Sequence, residues 1–409
     1  MSDSLTQKLV DSSPTQTIPQ PDFFNLSNTG DQARLEALLT EHPHTKIIDT
    51  YETQLKELFV LQNPWLNLNP TQRDKEFKPY REDHYGNNEP WQAGAWVYLL
   101  WRHVLLHVLE DASYQQVRTG RNRNLITAEE QQKFYHSTIG IAGLSVGNSC
   151  TLAIVLTGGG KHLRLADPDT LELTNLNRIR GSIAELTAPK VYMTARQIYE
   201  LDPYAELELH PEGLTEDNIE QFFDGPPKLD VVIDEIDNIG MKVRIRQEAK
   251  KRKIPVVMAA DNGDGGILDV ERHDLDDNIP LFHGRASDDI AERTVGKKLP
   301  LPVIGKIITE ELLGTENITE RVQQSLLEIG STLPTWPQLG GAAVLNGVVV
   351  AATVRKILNS QPVIDNRAYL SVDSWLVPDY DSVERQAQRK KAAAEFLDKF
   401  HQRLAQAPS

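Results

Sequence analysis

The stretch from Ser137 to Lys190 constrains this chain more than any other. Thr138 to Ala142 is a short apolar run that stops at Gly143, and an apolar segment of helix length follows from Asn148 to Thr157. That order predicts strand, glycine turn, helix. His162 to Ala166 predicts a second strand, and it closes on Asp167, about twenty residues beyond the first glycine of the turn. An acid at that distance can accept from a ribose hydroxyl while the amino end of the helix faces phosphate. The same pattern also suits a plain β-α-β crossover that binds nothing, and a nicotinamide-dependent oxidoreductase, so the turn alone leaves the ligand open.

The continuation narrows the choice. It reads Asp167-Pro-Asp-Thr-Leu-Glu-Leu-Thr-Asn175-Leu-Asn177-Arg178, with Lys190 further along after Ala-Pro. Here the sequence resembles the ThiF/MoeB family of adenylyltransferases, the bacterial relatives of ubiquitin-activating enzymes. Their signature is a strand ending in Asp, an Asp-Thr pair, Asn-Leu-Asn-Arg or similar, and then a Lys. The resemblance implies an α/β fold, a Rossmann-like doubly wound sheet of the ThiF/MoeB type, over residues 118–380. An N-terminal mainly helical region (21–117), a disordered tail (1–20) and a C-terminal helix (381–409) complete the expected organisation.

The resemblance also implies ATP and Mg²⁺ as ligands and gives each residue a role. Asp167 accepts from the ribose hydroxyls, and Gly143, Ser145, Gly147 and Asn148 form the turn that lets the backbone approach the nucleotide. Arg178 and Lys190 put positive charge on the phosphates, Arg by a bidentate grip and Lys as a point charge. Asn175 and Asn177 position the loop that carries Arg178. Asp237 follows the apolar strand Leu229 to Ile233 in Asp234-Glu235-Ile236-Asp237-Asn238 and is the expected Mg²⁺ ligand. Relatives carry an Arg-x-Asn-Arg-Gln segment ahead of the first strand. Arg123, between Asn122 and Asn124, takes its second arginine's place, which implies a homodimer with Arg123 acting across the interface. Without that context the same arginines would be a solvated basic turn.

Departures from the pattern matter as much. The family's Gly-x-Gly-Gly-x-Gly turn is here Gly143-Leu-Ser145-Val-Gly147-Asn148, so two side chains stand where backbone normally comes close. Ile179 replaces the Gln that commonly follows the arginine. The Cys-x-x-Cys zinc pairs of many relatives are missing, and the single cysteine, Cys150, lies in the nucleotide helix and cannot be the thioester cysteine. One cysteine also excludes an intramolecular disulfide.

A chain of 409 residues exceeds one ordinary core. Its net charge of −15 argues against a general nucleic-acid or anionic-membrane surface. No basic-then-apolar leader opens the chain and no run of about 18 apolar residues is read in it, so the expected location is cytoplasmic.

Elsewhere the periodicity predicts helices over Asp31 to His42 and Tyr51 to Gln62, loop over Asn63 to Pro90, and an apolar helix over Trp91 to Leu109. In that last helix His103 and His107 would stand at the spacing of a zinc pair, but Val104 occupies the place of the metalloprotease Glu, so packing or surface roles are expected. Thr127 and Glu130 form a capping box. Asp261 to Gly266 is expected to be a turn-rich loop near the site and lacks the Glu an EF-hand needs. A small-residue helix over Ala342 to Leu358 is expected to pack closely against the sheet or a partner.

The functional expectation is an ATP- and Mg²⁺-dependent adenylyltransferase that activates a carboxylate without a thioester step. The substrate would be a small-molecule carboxylate or the C-terminus of a ubiquitin-like sulfur carrier. A nucleotide-binding scaffold that pairs with another protein is the alternative, motivated by the altered turn. The oxidoreductase comes third, because phosphate-directed cations accompany the turn and no set of residues for hydride chemistry does.

Overall fold

The structure, a computed structural model, describes residues 18–406. Most of the tail expected over 1–20 therefore lies outside the described residues. The described backbone forms two units, one gathering 18–132 with 195–205, the other 133–194 with 206–406.

The first unit carries the helices α1 (Thr29–Glu41), α2 (Tyr51–Gln62), α3 (Pro70–Tyr85) and α4 (Asp111–Arg118). Two expectations fail here. Asn63 to Pro90 is not mostly loop, because Asn69 caps α3 by accepting from Gln72 N and Pro70 occupies the first turn, where a missing N–H costs nothing. The apolar segment from Trp91 to Leu109 is not a helix but two strands, β3 (Ala95–Leu99) and β4 (Val104–Val108). They join β1 (Asp22–Phe24) and β2 (Lys46–Asp49) in a four-stranded sheet ordered β1-β3-β4-β2.

Both faces of that sheet are covered, Trp96, Tyr98 and Leu105 packing with Leu35 on one side and Val97, Leu99, Val104 and Val108 forming the other core. A strand buried on both faces reads as a continuous apolar run, which periodicity cannot separate from a buried helix. His103 takes a left-handed conformation at φ +47° in the turn between the strands. His107 stacks between the Trp96 ring, at 4.3 Å, and the Tyr51 ring, at 4.4 Å. Its Nδ1 meets Asp49 Oδ1 at 2.9 Å and its Nε2 meets the Ala93 carbonyl at 2.7 Å. His107 thus serves packing while His103 is exposed in the turn, and among the described residues no group of three metal-ligating side chains occurs.

Helix α5 (Ala128–His136), capped as expected by Thr127 and Glu130, carries the chain into the second unit. A seven-stranded sheet follows, ordered β11-β10-β9-β8-β5-β6-β7. Five of its strands are parallel: β5 (Thr138–Ala142), β6 (His162–Ala166), β7 (Glu206–His210), β8 (Val231–Asp234) and β9 (Val256–Asn262). β10 (Gly265–Glu271) and β11 (Arg367–Leu370) add on antiparallel. Helices α6 (Val146–Leu156), α7 (Lys190–Leu201), α8 (Ile219–Asp224) and α9 (Ile239–Arg252) connect the parallel strands. The order of the sheet reverses between β5 and β8, which opens a crevice beyond their carboxyl ends.

β5 is buried throughout, as a central parallel strand must be. The turn-rich stretch from Asp261 to Gly266 forms a tight hairpin, with Gly263 at φ +67° turning the chain and Asn262 paired to Gly265.

After α10 (Glu320–Leu326) comes α11 (Gly340–Leu358), and the described chain ends in α12 (Val383–Gln406). α11 is long and apolar enough to cross a membrane by length and composition alone, yet it lies against α6, β9 and β10. Gly347 makes the approach possible: a Cβ there would stand 2.6 Å from the Ser149 carbonyl carbon. α6 is accordingly mostly apolar and buried over nearly its whole length, since it lies between the sheet and α11.

Beneath β8, Arg246 is 0% exposed, held by Asp234 at 2.5 Å and Glu271 at 2.6 Å, with its guanidinium 4.0 Å over the Phe282 ring.

Candidate active site

The turn after β5 is set by backbone. Gly143 takes φ +87°, and a Cβ on it would run into the Glu235 carbonyl and lie 2.8 Å from Ile236 N. Only glycine lets the ends of β5 and β8 approach this closely. Gly147, by contrast, is an ordinary helical residue of α6 with Ile141 Cγ2 3.1 Å from its missing Cβ.

Asp167 ends β6 and is 4% exposed. Its Oδ2 accepts from Leu144 N in the turn at 2.6 Å, and its Oδ1 from Asp169 N at 2.8 Å. Burial pushes its pKa up, against the opposing pull of Lys190 and these two amides. The acid expected to meet a ribose is thus bonded directly to the glycine turn.

Lys190 opens α7. The loop before it folds back on itself, Leu171 N donating to Ala188 O at 2.8 Å and Thr170 bridging Pro189, so that Lys190 N reaches Asp169 O at 2.9 Å. Its Nζ lies 2.8 Å from Asp169 Oδ2. Asp169, exposed two residues beyond Asp167, therefore orients the lysine; it belongs to the Asp-Thr pair of the motif, but spacing alone assigns it no partner.

Arg178 sits on the other flank of the same turn. Its Nε donates to Ser145 Oγ at 3.1 Å, and its Nη1 to Asn177 Oδ1 at 3.0 Å and Thr174 O at 3.3 Å. Burial lowers its pKa, and Asp261, Asp237 and Glu172 pull it back up. Asn175 closes the tight turn that carries the arginine, its Oδ1 accepting from Glu172 N at 3.0 Å and its carbonyl from Arg178 N at 3.0 Å. Asn177 Nδ2 donates to Gln338 O at 2.9 Å. Ile179, where the family has Gln, is buried with Leu171 and Met193, so the departure serves packing. The departure at Ser145 is explained as well, since the side chain that intrudes on the glycine turn is the one that anchors Arg178.

Asp237 is exposed just ahead of Asn238, which caps α9 by accepting from Met241 N at 2.9 Å. Its charge reaches Arg178. With no three-ligand group among the described residues, Mg²⁺ would have to bring most of its ligands as phosphate oxygens and water, which is its usual habit. Asn148 is buried, with Nδ2 donating to Thr194 Oγ1 at 3.0 Å, so it braces α6 against α7. Cys150 is fully buried and burial pushes its thiol up, which excludes it as an acyl acceptor.

Arg123 belongs to the first unit, and its Nη1 donates to Leu61 O at 3.2 Å. The structure therefore brings Asp167, Lys190, Arg178, Ser145 and Asp237 around one turn and gives Arg123 a bond within its own unit. Three further residues join them. Asp261, Gln338 and Asn346 stand beside the Arg178 loop, Asp261 accepting from Asn346 Nδ2 at 2.7 Å and from Gln338 Nε2 at 3.2 Å. Only Asp261 carries a sequence signal, an acid at the end of an apolar strand.

Residues 119–274 match the model of the ThiF family. The uncharacterized protein MT1398 of Mycobacterium tuberculosis (strain CDC 1551 / Oshkosh) is 37% identical over 287 residues, 70% of this chain and 39% of that protein. The tRNA threonylcarbamoyladenosine dehydratase of Bacillus subtilis (strain 168) is 33% identical, over 34% of this chain and 54% of its own length. The sulfur carrier protein ThiS adenylyltransferase of Escherichia coli (strain K12) is 31% identical, over 35% and 56%. The chain thus spans between two fifths and a little over half the length of these relatives. Among solved structures, Escherichia coli MccB with ATP matches at a TM-score of 0.40 and 16% identity, over 59% of this chain and 62% of that one.

Proposed function

With a ThiF family domain over residues 119–274, this chain is a member of the ThiF/MoeB family, and from that premise we propose that it adenylates a carboxylate with Mg-ATP. Carboxylate adenylation is the general chemistry that the family and its named adenylyltransferase relative support. The observation that carries the reading here is the pair of bonds flanking one turn, Asp167 to Leu144 N and Arg178 to Ser145 Oγ.

The chemistry asks mainly for alignment and charge neutralisation. A carboxylate oxygen attacks the α-phosphorus, the bond to the bridging oxygen breaks, and pyrophosphate leaves with the electron pair. Asp167 accepts from the ribose, Gly143 to Asn148 bring backbone to the nucleotide, and Arg178 and Lys190 balance charge on the phosphates. Asp237 would hold Mg²⁺, which when bound would supply positive charge to the phosphates. The acyl-adenylate is not passed to a cysteine of this chain, since Cys150 is buried.

The substrate is a small-molecule carboxylate or the C-terminus of a small carrier protein, in keeping with the ThiS relative. The reading includes a cytoplasmic homodimer in which Arg123 reaches phosphates held by the second subunit. Calorimetric titration with Mg-ATP, followed by ATP–pyrophosphate exchange with candidate carriers, tests it, and a chain that binds no Mg-ATP overturns it. One observation favours a non-catalytic scaffold: Ser145 narrows the turn, and Arg178 already rests on it. Mg-ATP binding without exchange, and a biological role that survives Lys190→Ala, would select that reading.

A further inference from the structure

Asp261 closes β9 at the same sheet edge as the glycine turn, and adenylation as described leaves it without a role. Its carboxylate is gripped by two amides, one from Asn346, 0% exposed on α11, and one from Gln338. Gln338 also accepts from Asn177 Nδ2 at 2.9 Å through its carbonyl, and Asn177 Oδ1 accepts from Arg178 Nη1 at 3.0 Å. A continuous chain of contacts, Asp261 to Gln338 to Asn177 to Arg178, therefore joins the end of β9 to the arginine on the turn.

The charged surroundings of Asp261 are sparse. Arg178 is the cation whose field acts on it. Glu235 at the end of β8 and Cys150 in α6 both feel its negative charge. Lys242 of α9 is committed to Asp234, at 3.3 Å, and acts on Glu235. α11 contributes only the neutral amide of Asn346.

We propose that Asp261 is a positioning residue for Arg178, and that binding of a nucleotide triphosphate is coupled to uptake of a proton by its carboxylate. The inference rests on the adenylation reading. Without nucleotide, the ionised carboxylate and the hydrogen-bond chain hold the guanidinium toward the turn. Once Arg178 pairs with phosphate, its charge no longer favours the ionised carboxylate, and the triphosphate adds repulsion. The Asp261 carboxyl then releases its charge by taking a proton, which removes an anion from beside the phosphates.

The geometry is matched by the resting state, because burial already pushes Asp261 up to about 6 despite both amides and Arg178. From that value, a rise of ~1 unit on binding takes up about half a proton at pH 6.5.

Titration calorimetry of the full chain with Mg-ATP at pH 6.5, in PIPES and in imidazole buffer, reads the protons exchanged. Wild type should take up about half a proton more than Asp261→Asn, which keeps an acceptor for the amides and serves as the control for protons carried by ATP itself. Wild-type affinity should also rise as pH falls from 7.5 to 5.5, by about sixfold more than that of the variant. Asp261→Ser supplies the same comparison should the first variant fold poorly. Equal proton uptake and equal pH slopes in wild type and variants overturn the inference and leave the adenylation reading standing. No Mg-ATP binding by wild type overturns both.

Discussion

Replacing Gly143 by Ala should damage this protein severely, while the same change four residues later at Gly147 should not. At Gly143 the new Cβ meets the Glu235 carbonyl and stands 2.8 Å from Ile236 N, so the atoms that must yield are backbone. Forcing an L-residue to φ +87° costs roughly 1–2 kcal/mol. Displacing the facing strand end adds about 1–3 kcal/mol, as overpacking does elsewhere. The sum is roughly 2–5 kcal/mol, a large part of the ~5–15 kcal/mol that stabilises a typical protein. At Gly147 the helix gains about 0.5–1 kcal/mol from Ala. The Ile141 methyl at 3.1 Å takes most of that back, so the net effect should be near zero. Urea unfolding followed by circular dichroism should move the midpoint of Gly143→Ala down by roughly 1–2 M and leave Gly147→Ala within about 0.3 M of wild type. Gly143→Ala should also lose Mg-ATP binding under conditions where it stays folded. Equal midpoints for the two variants would refute the claim that close approach of β5 and β8 fixes the turn.

Arg246→Met should destabilise by about 3–5 kcal/mol in the same assay, because it leaves Asp234 and Glu271 buried without their cation. Burial raises the Glu271 pKa but Arg246 outweighs it, bringing the group from 4.5 to about 2, so its contribution is complete above pH 4.5 and is lost as pH falls toward 2. Glu271→Gln should accordingly flatten the fall in stability measured between pH 5 and 3. Lys190→Ala should weaken Mg-ATP binding roughly tenfold to a hundredfold, the worth of one charge-assisted hydrogen bond, with little change in the urea midpoint. Cys150 should not react with a thiol reagent until the chain is unfolded, and Cys150→Ser should retain Mg-ATP binding.

The parallel-sheet half of the fold is legible in the sequence because the central strands are short, mostly apolar and closed by a chemical mark. β6 has the limits that its apolar run predicts, since a βα unit is a local construction of strand, glycine and helix, while the turn is shorter than expected, Gly147 and Asn148 lying within α6. Trp91 to Leu109 misleads because covering both faces of a sheet erases the alternation by which a strand is known. The turn-rich loop expected at Asp261 is a tight hairpin, its glycines turning the chain.

What the sequence determined by itself was the chemistry at the strand ends: which acids and cations are present, their spacing, and the glycine turn they follow. Tertiary structure alone decided how those groups hold one another. Ser145 came to anchor Arg178, Asp169 to orient Lys190, and Asp261 to reach the arginine through Gln338 and Asn177, residue pairs separated by up to 161 positions. The physical reason is that spacing along a chain fixes neighbours within one strand or turn. Neighbours across a sheet edge exist only once helix α11 has packed its Gly347 against α6 and carried Gln338 and Asn346 to the end of β9.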